Sequence, residues 1–375
     1  MKIFTISPVY NPMQGAGVSK VIKSICENLA GRGHQCTILT INAEGTRNAE
    51  EEVNSVKVKR LGSPLSKYLY GFSPALYSYI TTDGVALLKN QDIIHVHMYH
   101  DLLSVESILL LHSFGKPIVF TPHYLGSGTT TFRNFLHMLY RPAVINMLNY
   151  TAKIICCSEY EAAVLRKNHS LMIENIDVIA HGIDIEIINQ CVKRASCSQH
   201  ISLLYVGRLV EHKGLQYILN AMQQLKSVHN MQPSLEIVGQ GPYKDQLEKM
   251  AHTLGVEDNL VWSGHVPMDQ VWRRYKDVDI FLLPSRLENF GIVVIEALAS
   301  GIPSIVANTS SLTAFTSEPG CFGIDYPPDA RELADLIMEI HNNDIRVGPF
   351  NPAKIRTWNR VTDEYEKLYF DLYKQ

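Results

Sequence analysis

The sequence predicts an α/β protein built from two doubly wound, Rossmann-like domains facing one another across a cleft. Three observations carry that expectation. At 375 residues the chain is too long for one ordinary hydrophobic core. Short β-branched runs alternate with longer helical patterns through both halves, as parallel strands with crossover helices require. From Asp184 to His200 the pattern weakens, and Cys191-Val192-Lys193-Arg194-Ala195-Ser196 is polar and aperiodic, a linker.

In the first half, residues 2–6 read as a strand and 17–31 as a helix with Val18, Val21, Ile22, Ile25 and Leu29 on one stripe. Gly33 closes that helix before the strand Cys36–Thr40, and further strands fit at 55–60, 92–96, 117–120, 153–157 and 176–179. The alternation restarts with a strand over 201–206, a helix over 213–228 and a strand over 235–238. A helix over 243–254 and strands at 259–263, 279–283 and 303–306 follow. Trp358 to Tyr373 is helical, with Val361, Tyr365, Leu368, Tyr369 and Leu372 on one stripe; the pattern alone does not say which domain it joins. Ligands of such sheets bind at the carboxyl ends of the strands, so the cleft is the expected site.

Composition narrows the function classes. A formal charge of −3 gives no drive toward nucleic acid, and the basic clusters Lys57, Lys59, Arg60 and Arg273, Arg274 read as solvated faces. Seven scattered cysteines without Cys-x-x-Cys spacing suit a reduced, cytoplasmic compartment. The N-terminus reads as a first strand rather than a signal peptide, and no apolar run approaches the length that spans a membrane.

The most informative stretch is Phe281 to Pro303. A buried strand ends at Pro284-Ser285, Asn289 is the expected N-cap, and 290–299 form an almost wholly apolar helix ended by Gly301 and Pro303. Free amides at its start, with Gly291 permitting close approach, would make an anion site. Glu288 and Glu296 would lie about 12 Å apart along the axis, the reach of a sugar-diphosphate-ribose unit. In an otherwise apolar helix Glu296 would be costly if it had no partner. Arg208 and Lys213 follow another buried strand, beside Gly207 and Gly214, where two cations can neutralise a diphosphate.

Glu288-Asn-Phe-Gly-Ile-Val-Val-Ile-Glu296 resembles the Glu-x7-Glu signature of the retaining nucleotide-sugar glycosyltransferases, the "group 1" or family-four class. Tyr205-Val-Gly-Arg-Leu-Val-Glu-His-Lys-Gly214, Ile237-Val-Gly-Gln-Gly-Pro242 and Val178-Ile-Ala-His-Gly-Ile-Asp184 are similar to further family segments, as is the Trp358 helix. The resemblance implies the GT-B architecture: an acceptor domain over 1–185, a nucleotide-sugar domain over 186–350, and a helix in 351–375 that returns to the first domain. It implies catalytic roles for Arg208 and Lys213 on the diphosphate, and for Glu288 and His123 on the transferred sugar. Glu296 would take the ribose, with Asn289, Phe290, Gly291, Ile292 and Gly239 completing the donor site and His265-Val266 meeting the base. In Asn11-Pro-Met-Gln-Gly-Ala-Gly-Val18 the family's adjacent glycines are reduced to Gly17, since Ala16 fills the first place; Gly15 is the weaker candidate.

His95 and His97 share one side of a strand end; a zinc site would need a further ligand set, so His97 is placed with the donor-binding residues instead. Asp277-Val-Asp279 spells the acidic pair of metal-dependent transferases, but its place between helix and strand reads as a helix end. The expected activity is transfer of a hexosyl or N-acetylhexosaminyl group from a nucleoside diphosphate sugar to a glycan or lipid-linked hydroxyl, with no metal or other cofactor. A nucleotide-sugar 2-epimerase and a non-catalytic sugar-nucleotide-binding subunit are the alternatives. The aromatic-rich stretches Tyr68–Ile80 and Phe132–Tyr150, with Arg133 and Arg141, leave open contact with the inner face of a membrane. The sequence does not give the donor base, the sugar, the acceptor or the oligomeric state.

Overall fold

The computed structural model describes residues 1–11, 17–42, 48–62, 84–126, 144–169, 175–184, 200–276, 278–345, 347 and 355–374. Gly15, Ala16, Tyr68–Ile80, Arg133, Arg141, the Cys191–Ser196 linker and Asp277 lie outside them, and Phe132–Tyr150 is described only from Val144. The chain divides into two compact units, Met1–Gly182 with Trp358–Gln375, and Ile183–Thr357. The crossings therefore fall after residues 182 and 357 rather than after 185 and 350. Ile183 N donates to Arg356 O at 2.9 Å, and Ile183 forms an isolated parallel β-bridge with Thr357.

The first unit holds an eight-stranded sheet. Its strands are β1 (Lys2–Ile6), β2 (Gln35–Asn42), β3 (Ala49–Val53), β4 (Val56–Gly62), β5 (Ile93–His97), β6 (Ile118–Thr121), β7 (Lys153–Cys156) and β8 (Ile176–Val178), in the order β3-β4-β2-β1-β5-β6-β7-β8. Strand order reverses between β1 and β5, the kind of switch point where such sheets bind ligands. Every neighbour is parallel except the β3–β4 pair. β3 was not legible because its Glu50-Glu51-Glu52 run lacks apolar alternation; it forms through a two-residue hairpin in which Asn54 and Ser55 take positive φ of 49° and 63°. Its carboxylates pair with the cations read as a solvated face, Lys59 with Glu50 at 2.5 Å and Arg60 with Glu51 at 2.6 Å.

The helix Val18–Gly31 buries Val21, Ile22, Ile25 and Leu29, and Gly17 takes its N-cap position at φ 62°. Trp358–Tyr373 belongs to this unit and buries Trp358, Val361, Tyr365 and Tyr369, not Leu368 or Leu372. Arg32 holds Glu366 at 2.8 Å and Asp363 at 2.7 Å, while His34 bonds Glu366 at 2.6 Å.

The second unit holds β9 (Ser202–Val206), β10 (Ser234–Val238), β11 (Leu260–Gly264), β12 (Ile280–Leu283), β13 (Ser304–Ala307) and β14 (Cys321–Ile324). All are parallel, in the order β11-β10-β9-β12-β13-β14, with the switch point between β9 and β12. β14 and the helix Ala330–Asn342, capped by Asp329 on the amides of Arg331 and Glu332, add to the elements expected. Asp279 accepts from Ser202 N at 2.8 Å and Ser202 Oγ at 2.7 Å, so it clasps β9 to the start of β12.

At the carboxyl ends of β9, β10 and β11 the loops are stitched backbone to backbone. Gly207 N donates to Val238 O at 2.9 Å, Leu209 N to Gln240 O at 3.0 Å and Gly239 N to Gly264 O at 2.7 Å. This needs glycine: at Gly239, with φ 147°, a Cβ would stand 1.9 Å from Gly207 O. Gly239→Ala is expected to cost roughly 1–3 kcal/mol and to lower the melting temperature by several degrees in a thermal unfolding scan. An unchanged melting temperature would contradict the close approach.

Candidate functional site

In the second unit the chemistry collects where β9 and β12 end. Arg208 follows β9 directly and is exposed, with its carbonyl accepting from the buried Tyr205 hydroxyl at 3.2 Å. Lys213 ends a short 3-10 turn, Glu211–Lys213, and Gly214 beyond it takes φ 83° because a Cβ there would meet Pro284 O at 2.1 Å. Pro284 opens the loop that carries Glu288, so these two loops touch. Arg286 N donates to His212 O at 2.8 Å, and Lys213 Nζ forms an ion pair with Glu288 Oε1. The pair is largely buried, 19% and 12% exposed, so each charge depends on the other.

Glu288 is also pinned through its backbone. Its amide donates to Ser310 Oγ at 3.1 Å and its carbonyl accepts from Ser311 Oγ at 2.9 Å. His212 sits among Lys213, Arg286 and Arg208; burial first, then those cations, push its imidazole down to about 4 against the pull of Glu288.

The helix that follows runs Ile292–Ala299. Gly291, at φ 88°, takes its N-cap position in place of the expected Asn289, and no side chain caps it. Asn289 and Phe290 therefore lie in the preceding loop, and Glu288 stands four residues before the helix, so an axial measure between the two glutamates does not apply. A Cβ on Gly291 would meet Leu312 at 2.9 Å, so the left-handed turn is packed as well as bent. Glu296 is buried at 8% exposure and accepts from the Tyr275 hydroxyl at 3.3 Å. His265 is exposed and Val266 buried in the loop after β11.

In the first unit four histidines form a buried row. His97 is the last residue of β5 and pairs in register with Thr121, two residues before His123. His97 Nδ1 lies 3.2 Å from His123 Nε2, and the rings stack at 5.5 Å and 19°. His95 packs on His97 at 4.0 Å between centroids, and His181 lies 6.0 Å from His123. The Tyr369 hydroxyl bonds His95 Nδ1 at 2.7 Å, and His95 Nε2 bonds Thr121 Oγ1 at 2.8 Å. Burial pushes His95 down to about 3 and His123 to about 4, and holds His97 and His181 well below the ordinary imidazole range.

Two family profiles divide the chain between them. Glycosyltransferase Family 4 matches residues 15–187 and Glycosyl transferases group 1 matches residues 193–351. The chain belongs to the group 1 glycosyltransferases. This glycosyltransferase is 26% identical over 332 residues to an uncharacterised glycosyltransferase of Methanocaldococcus jannaschii, covering 83% of this chain and 82% of that protein. It is 25% identical over 363 residues to the alpha-monoglucosyldiacylglycerol synthase of Streptococcus pneumoniae, covering 90% and 78%. Its fold is that of GT-B glycosyltransferases. The crystal structure of HepE from Anabaena with UDP-glucose matches it with a TM-score of 0.68 at 16% identity, over 100% of this chain and 96% of that one.

The structure of the glycosyltransferase thus brings Lys213 and Glu288 into contact, with Arg208 on the same loop as the lysine, and stitches Val238 and Gln240, either side of Gly239, to that loop. Glu296 sits on the next helix. His97 and His123 pair with each other, while Gly17 takes the N-cap position of the Val18–Gly31 helix. Sequence reasoning did not single out Tyr275, Ser310 or Ser311, which hold the two glutamates, and gave no role to His212, Arg286 or His181. Tyr275 is hidden in a basic run, Trp272-Arg-Arg-Tyr275, where nothing marks it as the partner of a residue twenty-one places on.

The depressed imidazoles have a consequence for stability. A histidine whose folded pKa lies below its unfolded value near 6.5 binds its proton more readily in the unfolded chain, so stability falls as pH falls through that window. His95, His97, His123, His181 and His212 all act in this sense. Asp101, pushed up to about 7 by burial, and Glu161, also raised by burial, oppose them. Five imidazoles against two carboxyls should make the melting temperature rise with pH between about 4 and 6.5. A flat or falling profile in that window would contradict the buried neutral row.

Proposed function

We propose that this chain is a retaining, metal-independent transferase. It moves a hexosyl or N-acetylhexosaminyl group from a nucleoside diphosphate sugar to a hydroxyl of a glycan or lipid-linked acceptor. The observation that carries the proposal is the Lys213–Glu288 pair at the switch point between β9 and β12, with Arg208 on the same loop as the lysine. Two cations beside a carboxylate match a substrate that presents a diphosphate next to a polyol. Binding of UDP-glucose by a protein of the same fold supports the nucleotide-sugar donor.

In this mechanism the bond from the anomeric carbon to the diphosphate oxygen stretches first. Arg208, Lys213 and the amides at the start of the Ile292–Ala299 helix stabilise the charge that gathers on the diphosphate. The acceptor hydroxyl adds to the anomeric carbon from the face the diphosphate leaves, and its proton passes to the departing phosphate oxygen. Products are a glycoside of unchanged anomeric configuration and a nucleoside diphosphate. Glu288 and His123 orient the transferred sugar. Glu296, fixed by Tyr275, accepts from the two ribose hydroxyls, which suits a group that only accepts hydrogen bonds when ionised.

Similarity to the alpha-monoglucosyldiacylglycerol synthase of Streptococcus pneumoniae supports an acceptor carried on a lipid. Among the described residues no helix is long and apolar enough to cross a membrane, so access to such an acceptor is proposed to be peripheral, at the cytoplasmic face.

Lys213→Ala is expected to lower kcat by at least about a hundredfold while circular dichroism stays that of the folded protein. Wild-type turnover by the folded variant would end the clamp reading. UDP- and GDP-sugars screened by thermal shift should include one that raises the melting temperature of the wild type and fails to do so for Glu296→Ala. Turnover should survive EDTA, and NMR of the product should show the donor's anomeric configuration. Donor isomerised at C2 without acceptor would instead favour an epimerase.

A further inference from the structure

We propose that His97 is a positioning residue: through its Nδ1 it holds Nε2 of His123 and so presents the His123 ring to the substrate by its Nδ1, in one tautomer. The inference rests on the proposed role of His123 and extends it to a second histidine.

The backbone makes the juxtaposition rigid. β5 and β6 run parallel with His97 opposite Thr121, and the ladder continues past their ends. Met98 N donates to Thr121 O at 3.0 Å and Tyr99 N to Pro122 O at 2.7 Å. Both strands then turn sharply, Met98 at φ 76° and His123 at φ 50°, conformations rarely adopted by residues with side chains. The His97 carbonyl is fixed by Ser104 Oγ at 2.6 Å. Behind His97 stands His95, itself tied at both ring nitrogens by Tyr369 and Thr121. His97 is 1% exposed and His123 is 8% exposed, so His123 is the one nearer the surface.

The chemistry follows from proton counting. The two imidazoles, buried together and beside His95 and His181, are neutral, so each carries one ring proton. One proton lies in the 3.2 Å contact between Nδ1 of His97 and Nε2 of His123. If His97 donates it, the proton of His123 must be on Nδ1, which then donates to a substrate oxygen. If His123 donates it, its Nδ1 accepts. Either way the tautomers of His97 and His123 are linked, as a partner on one ring nitrogen sets the role of the other.

The experiment compares three substitutions in the full chain. Asparagine places its amide near the position of Nδ1, glutamine reaches nearer that of Nε2, and leucine fills the space without a polar atom. His97→Asn is expected to keep kcat within about threefold of wild type. His97→Gln and His97→Leu should lose tenfold or more in kcat, with donor KM changed much less. The 15N shifts of His123 should report one tautomer in wild type and in His97→Asn, and a mixture in His97→Gln. Equal kcat for the asparagine and glutamine variants, both folded by thermal melt, overturns the inference; this comparison stands even if the leucine variant fails to fold. His123→Ala separates the two readings. If it turns over like wild type, the role of His123 falls and this inference with it. If it is inactive while asparagine and glutamine at residue 97 behave alike, the inference alone falls.

Discussion

The ion pair between Lys213 and Glu288 is the contact around which the second unit's functional edge is arranged. Its partners come from loops that follow β9 and β12, neighbours at the place where strand order reverses. Strands elsewhere in the sheet send their loops toward helices on one face or the other; at the reversal the loops diverge, and two chains can approach with side chains between them. Both charges are mostly withdrawn from water, so losing one makes the other costlier to keep there. That dependence explains the supports around them: Ser310 and Ser311 on the Glu288 backbone, His212 O on Arg286 N, and a glycine at 214 pressed on Pro284. In the proposed function a diphosphate would satisfy the lysine and leave the carboxylate to accept from hydroxyls.

The first unit solves the opposite problem. Its row of histidines is buried, which favours the neutral imidazoles, and hydrogen bonds and ring packing order the rings. The helix Trp358–Tyr373 is part of that order, since Tyr369 supplies the hydroxyl on His95 and Trp358 lies 6.3 Å from His181. The chain thus leaves this unit at Gly182, builds the second one, and returns to complete the surroundings of histidines laid down much earlier.

Period and punctuation made most of the fold legible. Apolar strands at regular spacing and amphipathic helices such as Leu215–Val228 need only local pattern to be recognised. β3 escaped because an edge strand made of glutamates draws its order from cross-strand ion pairs, which no one-dimensional pattern carries. Asn289 was a plausible cap by residue type, yet the packing of Leu312 against Gly291 selects a left-handed turn two residues later. In the site, the charged residues were legible because glycine and strand ends bracket them. Their supports were not: Tyr275, Ser310 and Ser311 are ordinary residues whose roles exist only once distant segments meet.

Glu296 shows how far that reasoning reaches. The helix Ile292–Ala299 is so apolar that a carboxylate in it demands a reason, and sequence alone supplies the demand without the answer. The structure supplies a partner: the Tyr275 hydroxyl, whose own proton is held tightly because burial raises its pKa well above the ordinary phenol, donates to Oε2. In the proposed function a ribose, with its pair of adjacent hydroxyls at fixed spacing, would donate to this carboxylate with little conformational cost. In that function the same carboxylate would repel a phosphate, which would favour placing the diphosphate of the donor toward Arg208 and Lys213 and away from Glu296.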